Sequence, residues 1–329
     1  MDNNTFKDSA TAAFLSGNFV PVKVNAEKGI GIDLSMKYRL SAFPSFMFLT
    51  PDGKVIKKIM GYQDAKTFTK TMNEIMQLHK EGFYYKGISE SLKLDYPKFI
   101  VDYFKAEKGK KPQITDQVNE YLEKEKDLTT EVNFCILSRF STSDDVNEKF
   151  LADLKKFKEL YGVEDVQNKV DNILYSKFKK ATSSKKESDL DSVMIFIDKY
   201  MPENADQTRS QYQMSYYQST GQWEKVAEIF GISVKEEKAG NDQINEISWS
   251  IYTKCDNKDV IEKAIGWMAG VVEKEPTYAY LDTYAALLFK YGKYEEAKKY
   301  AQMAIDAGKK TGEDVKSTEE LLKQINEKK

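Results

Sequence analysis

The chain has 329 residues, room for two domains that each bury a core. Its 50 Lys and Arg against 52 Asp and Glu exclude a nucleic-acid or anionic-membrane binder that works through bulk charge. Charged residues at 31% with aromatics at 12% fit a largely helical protein, and no apolar run reaches the roughly 20 residues of a membrane-crossing helix.

From Asp2 to about Gly17, Phe6, Ala10, Ala13 and Phe14 recur at helical spacing, and Gly17-Asn18 is a stop. Asn18 to Asn25 looks like a strand. A helix is expected over Ile32 to Leu40. Ser41 to Thr50 then forms an aromatic-rich buried strand, and Pro51-Asp52-Gly53-Lys54 a tight turn. Val55, Ile56, Ile59 and Met60 supply the second arm of a β-hairpin. Pro44 cannot donate to a ladder, so it stands at the first residue of its strand or carries a cis peptide bond. Phe68, Met72, Ile75 and Met76 line one face of a helix over Asp64 to His79.

Phe43-Pro44-Ser45-Phe46, the Pro51-Asp52-Gly53-Lys54 turn and Gly61-Tyr62 together resemble the thioredoxin superfamily. The resemblance implies a cis-proline at Pro44 that opens the third core strand, with Phe43, Pro44 and Ser45 as the substrate-binding residues. It also implies a first strand between the second and third, and a C-x-x-C at the start of the helix that follows it. This chain begins inside that helix: Met1 to Phe6 look like the continuation of a C-x-x-C-K string. Met1 is therefore expected to be an internal methionine of a longer protein, truncated after the C-x-x-C, with the first strand missing and its two neighbours unpaired. A C-x-x-C works because a helix N-terminus favours the thiolate. Without one, the chain as given is expected to be redox-inactive.

Beyond Glu81-Gly82 only amphipathic helices are evident. They fall at Pro97 to Phe104, Ile114 to Leu122, Phe150 to Tyr161, Val166 to Phe178 and Leu190 to Met201, with breaks at Lys108 to Pro112, Ser183 to Lys186 and Met201 to Asn204. Leu281, Tyr284, Ala285, Leu288, Gly292, Tyr294, Ala297, Ala301 and Ala304 reproduce much of the tetratricopeptide pattern, and Gly221 to Ala227 echoes Gly292 to Ala297. Residues 205–310 therefore look like a short helical-repeat array, with Tyr212, Tyr216 and Tyr217 in its inter-helix core. The expected organisation is an α/β thioredoxin-like domain over 1–80, lacking its first strand, and an all-α domain over 81–329.

Only two cysteines occur. Cys135 lies in an apolar helical context, a small buried hydrophobe, and Cys255 lies closer to a loop. The one histidine, His79, ends a helix among Lys80 and Glu81, and no Ser-His-Asp or Cys-His site assembles around it. No catalytic residue, cofactor or metal site is expected. A thioredoxin-like domain followed by helical repeats resembles exported thiol–disulfide oxidoreductase family proteins of Bacteroidetes-type bacteria. That implies a polypeptide substrate or partner protein and a periplasmic or cell-envelope location, although the first residues do not read as a signal segment. The alternative is a non-catalytic module that holds a polypeptide with the proline loop and the helical repeats.

Overall fold

A computed structural model describes residues 1, 4–107 and 109–328. A short 3-10 turn at Thr5–Lys7 precedes α1 (Ser9–Asn18), whose start is set by Asp8: its carboxylate accepts from the Thr11 N–H at 2.8 Å. The helix expected from Asp2 thus begins later, where a cap is available, and Asp2 and Asn3 lie outside the described residues. The strand expected over Asn18 to Asn25 does not form. From Phe19 the chain is irregular, and Val20 is 90% and Val22 78% exposed. Alternating valines fit a pleated surface, but a strand exists only with a ladder partner, and none pairs here among the described residues.

After α2 (Ile30–Lys37), β1 (Ser45–Leu49) and β2 (Val55–Met60) form an antiparallel pair in register from Ser45 opposite Met60 to Phe48 opposite Lys57, and the register then shifts by one to set Leu49 opposite Val55. α3 (Ala65–Lys80) is capped by Asp64, which accepts from Thr67 N–H at 2.8 Å. It buries Phe68, Met72 and Ile75 against Phe48, Ile56 and Ile59. Phe6 and Phe46 meet Phe68 edge-on at 5.6 and 5.2 Å, the aromatic geometry that aligns ring edge with ring face. The N-terminal region is therefore a small two-stranded sheet with helices, of thioredoxin-like class, and everything beyond Lys80 is helix or connection among the described residues.

Six helices follow in the first of two compact units, Met1–Ser176: α4 (Lys98–Lys105), α5 (Thr115–Lys124), α6 (Glu131–Arg139), α7 (Asp144–Ala152), α8 (Leu154–Tyr161) and the beginning of α9 (Val163–Ser184). The break expected between α4 and α5 is present, with Lys108 outside the described residues. The single helix expected over Phe150 to Tyr161 is divided. Asp153 leaves the helical region at φ −122° and ψ 27°, and its carbonyl accepts the first bond of α8 from Phe157 N–H. The division keeps the buried rings of Phe150 and Phe157 in contact, 4.9 Å apart.

Buried charge fastens α9 and α6 to the hairpin region. Asp165 on α9 accepts from Arg39 Nε at 2.8 Å and pairs with Lys58 of β2, all three about nine-tenths or more buried. Lys37 Nζ reaches Glu131 on α6 at 2.6 Å and the Ser89 carbonyl at 2.7 Å. Burial alone would lower the Arg39 guanidinium, but the charge and hydrogen bond of Asp165, together with those of Cys135, outweigh it and raise the group above its ordinary value. Lys58 goes the other way: burial lowers it, and the pull of Asp165 is partly undone by neighbouring Arg39. Arg39 also sits at φ +54°, a left-handed conformation unfavourable to a side chain of its size.

The second compact unit, Lys177–Lys329, takes the rest of α9 and then α10 (Glu187–Tyr200), α11 (Ala205–Thr220), α12 (Trp223–Lys235), α13 (Asn241–Lys254), α14 (Lys258–Lys274), α15 (Tyr278–Tyr291), α16 (Tyr294–Thr311) and α17 (Lys316–Asn326). The echo between Gly221-Gln222-Trp223 and Gly292-Lys293-Tyr294 has a shared geometry. Each glycine ends a helix at positive φ, +76° and +102°, and a new helix starts two residues on. α15 and α16 pack closely through Ala285, Ala297, Ala301 and Ala304, all fully buried. Tyr216 is fully buried, Tyr217 packs against the core, and Tyr212 meets Phe178 edge-on at 4.9 Å.

All three tryptophans (Trp223, Trp249, Trp267) lie in the second unit, so tryptophan emission reports that unit alone. Ala297→Leu, which forces a larger side chain between α15 and α16, is expected to cost about 1–3 kcal/mol in urea unfolding followed by this signal. Asp165→Asn leaves Arg39 and Lys58 buried without a counter-charge. It is expected to destabilise the first unit by about 3–5 kcal/mol in native-state hydrogen exchange, and a loss under about 1 kcal/mol would contradict the role given to the cluster.

Candidate functional site

Phe43, Pro44 and Ser45 lie at the entrance to β1, on the connection that leaves α2 through Arg39. The Phe43–Pro44 peptide bond is cis. The Pro44 carbonyl accepts from Gly61 N–H at 2.8 Å, which extends the hairpin ladder by one rung and brings Gly61-Tyr62 beside the loop. The Ser45 hydroxyl is turned back onto the Ala42 carbonyl at 2.5 Å, and Ser41 Oγ meets Met60 Sδ at 3.5 Å. Phe43 is 61% and Tyr62 59% exposed. Two aromatic rings thus stand in solvent beside an imide ring.

The ladder phase decides which backbone groups remain for a ligand. In an antiparallel pair the bonds to one neighbour come from alternate residues. With Pro44 bonded to Gly61, the register gives Phe46 and Phe48 to β2 and turns the N–H and C=O of Ser45, Met47 and Leu49 the other way. Among the described residues no strand pairs along that side of β1. What the arrangement offers is hydrogen bonding to an extended chain, together with apolar contact at Phe43 and Tyr62. A hydroxyl committed to Ala42, an imide and a phenyl ring supply no nucleophile and no general base.

The two cysteines are Cys135 and Cys255. Both are free and buried, one in each compact unit. Cys135 Sγ donates to the Lys37 carbonyl at 3.3 Å and accepts from Arg39 Nη1 at 3.6 Å. Cys255, expected near a loop, caps α13 and is only 2% exposed; burial pushes its thiol up, away from the reactive thiolate. His79 is exposed in the last turn of α3. Among the described residues no group of three or more His, Cys, Asp or Glu is placed to hold a metal ion, and no helix is long and apolar enough to cross a membrane.

Sequence reading missed the buried ions behind the loop. Arg39, Lys58 and Asp165 line a cavity of about 20 Å³ with Tyr85, Tyr161 and Glu164, space for a single water. The only local signal is the Lys57-Lys58 pair in the middle of an otherwise apolar strand. Asp165 lies 107 and 126 positions from its partners, beyond any periodicity. A wider depression of about 450 Å³ lies on the second unit between Tyr252, Thr253, Phe289 and Lys290. Lys290 Nζ donates there to the Tyr252 carbonyl at 2.7 Å, and Trp249, 42% exposed, leans on Tyr252.

Residues 1–76 match a family model described as a thioredoxin-like domain. No curated protein and no solved structure matches the chain.

Buried single thiols make a direct prediction. Neither cysteine should react with a water-soluble thiol reagent in the folded chain, and both should react once it is denatured; a fast-reacting thiol in the native protein would contradict their burial.

Proposed function

We propose that the N-terminal region, taken as a thioredoxin-like domain over 1–80, is kin to the thiol–disulfide oxidoreductase family and here binds extended polypeptide without exchanging disulfides. One observation carries this reading: the outward backbone groups of Ser45, Met47 and Leu49 begin where Phe43 and Tyr62 stand exposed. Strand addition supplies affinity through main-chain hydrogen bonds and selects through flanking side-chain contacts. In this reading Phe43 gives the apolar contact, Pro44 holds the loop, and Ser45 offers the first N–H and C=O to the bound chain. The all-α domain over 81–329, with tetratricopeptide-like repeats at 205–310, adds a second surface for the same or another polypeptide. The depression beside Tyr252 and Phe289 supports this, since aromatic side chains anchor protein contacts well. A cell-envelope or periplasmic setting goes with the family kinship, where unfolded and oxidisable chains are the natural partners.

The redox reading needs two neighbouring thiols, and this chain has two that are single and buried. The two readings separate in two assays. In an insulin-reduction assay with a dithiol donor, the chain is expected to give no turnover, and turnover would overturn the binding-only reading. Binding of a reduced, carboxymethylated and therefore permanently unfolded polypeptide, followed by fluorescence anisotropy, is expected to weaken about tenfold or more in Phe43→Ser and in Ser45→Pro, a change of about 1.4 kcal/mol or more. Phe43 is exposed enough that its replacement leaves the fold intact. Unchanged affinity in both variants would remove the loop from the binding surface.

A further inference from the structure

Lys169, on α9, is only 2% exposed, yet no carboxylate bonds to it among the described residues. Its Nζ meets the Phe140 carbonyl at 3.1 Å and Thr142 Oγ1 at 2.8 Å, both in the turn that joins α6 to α7. The Thr142 hydroxyl gives its own proton to Asn147 Oδ1, so towards the amine it is an acceptor. Asn147 closes the turn by donating from Nδ2 to the Thr142 carbonyl at 3.0 Å. Two acceptors match the two N–H groups of a neutral amine. An ammonium has three, and the third finds no partner here.

The charged groups on the surrounding elements are engaged elsewhere. Asp165, one turn earlier on α9, is held by Arg39 and Lys58. Arg139, at the end of α6, donates to the Ser35 carbonyl and lies over the Phe104 ring. Glu123 of α5 is exposed and accepts from Ser143 Oγ of the turn at 2.8 Å without reaching Lys169, and Asp144, Asp145, Glu148 and Lys149 of α7 are exposed to solvent.

We propose that Lys169 is a proton-sensitive tether: its neutral amine holds the 140–143 turn closed, and opening of the turn takes up a proton. Burial pushes the Lys169 ammonium down to about 7 from its ordinary 10.5. In the opened turn the amine is solvated and recovers its ordinary value. The closed form therefore gains stability that is fully present above about 10.5 and is lost as the pH falls towards about 7. Below about 7 both forms carry the proton and the dependence levels off. Between these limits opening becomes up to tenfold easier per pH unit lowered, which places neutral pH at the foot of the slope. The device sits on α9, the helix that also carries Asp165, so the same helix holds a fixed ion cluster and a titrating tether.

The test uses the full chain and two independent readings. In wild-type protein carrying ¹³C-labelled lysine, the Lys169 Cε signal is expected to titrate near neutrality, well apart from the other lysines. Titration together with the bulk of the lysines would overturn the proposal without any variant. Hydrogen exchange at the Val146 and Asn147 amides, corrected for intrinsic rates, is expected to gain protection towards tenfold per unit from pH 7 to 9. In Lys169→Met that gain is expected to vanish, and in Lys169→Arg, which cannot neutralise, the turn is expected to exchange faster with no pH dependence. Equal slopes in wild type and Lys169→Met would overturn it.

Discussion

One carboxylate, Asp165, serves two buried cations, and the first unit depends on that sharing. Arg39 comes from the connection that leads to Pro44, Lys58 from the strand that pairs with β1, and Asp165 from a helix more than a hundred residues on. Three charges out of water are stable only as a set, because any one left alone meets the full cost of desolvation. The cluster therefore fixes where the loop begins and how β2 sits against α9. It also compensates an unfavourable backbone at Arg39, whose guanidinium lies over the Phe134 and Tyr161 rings at 5.2 and 5.3 Å.

The same unit contains a second solution to burying a cation. Lys169 has no counter-charge and remains buried by giving up its proton, whereas Arg39, whose guanidinium cannot, takes a carboxylate. One arrangement sets charge against charge, and the other depends on a proton. On the opposite face of the hairpin the stabilisation is aromatic: Phe6, Phe46 and Phe68 pack edge to face, and Phe48 lies tilted against Phe68. β2 occupies one edge of β1, so the binding groups of β1 are those of its other edge.

Much of the N-terminal architecture is legible in residues close together in sequence. The hairpin follows from Pro51-Asp52-Gly53 between two apolar runs, and α3 from Asp64 followed by Phe68, Met72 and Ile75 at helical spacing. The position of Pro44 at the entrance to β1 is legible because proline cannot donate to a ladder inside a strand. The strand that the family resemblance implies over 18–25 is absent, since a segment suited to a sheet becomes a strand only where a neighbour is present. The split at Asp153 was invisible for a similar reason: the apolar spacing of Phe150, Leu154 and Phe157 is satisfied by two helices as well as by one.

By itself the sequence determined the class of the fold, the helical character beyond residue 80 and the place of the proline loop, because turn chemistry and apolar periodicity act over a few residues. Tertiary structure alone decided that Lys37, Arg39, Lys58, Asp165 and Lys169 lie inside, which of them share a carboxylate and which loses its proton. A charged side chain reads as solvated until the chain brings its partner across a hundred positions, and electrostatics in a dry interior depends on distances that no local pattern contains.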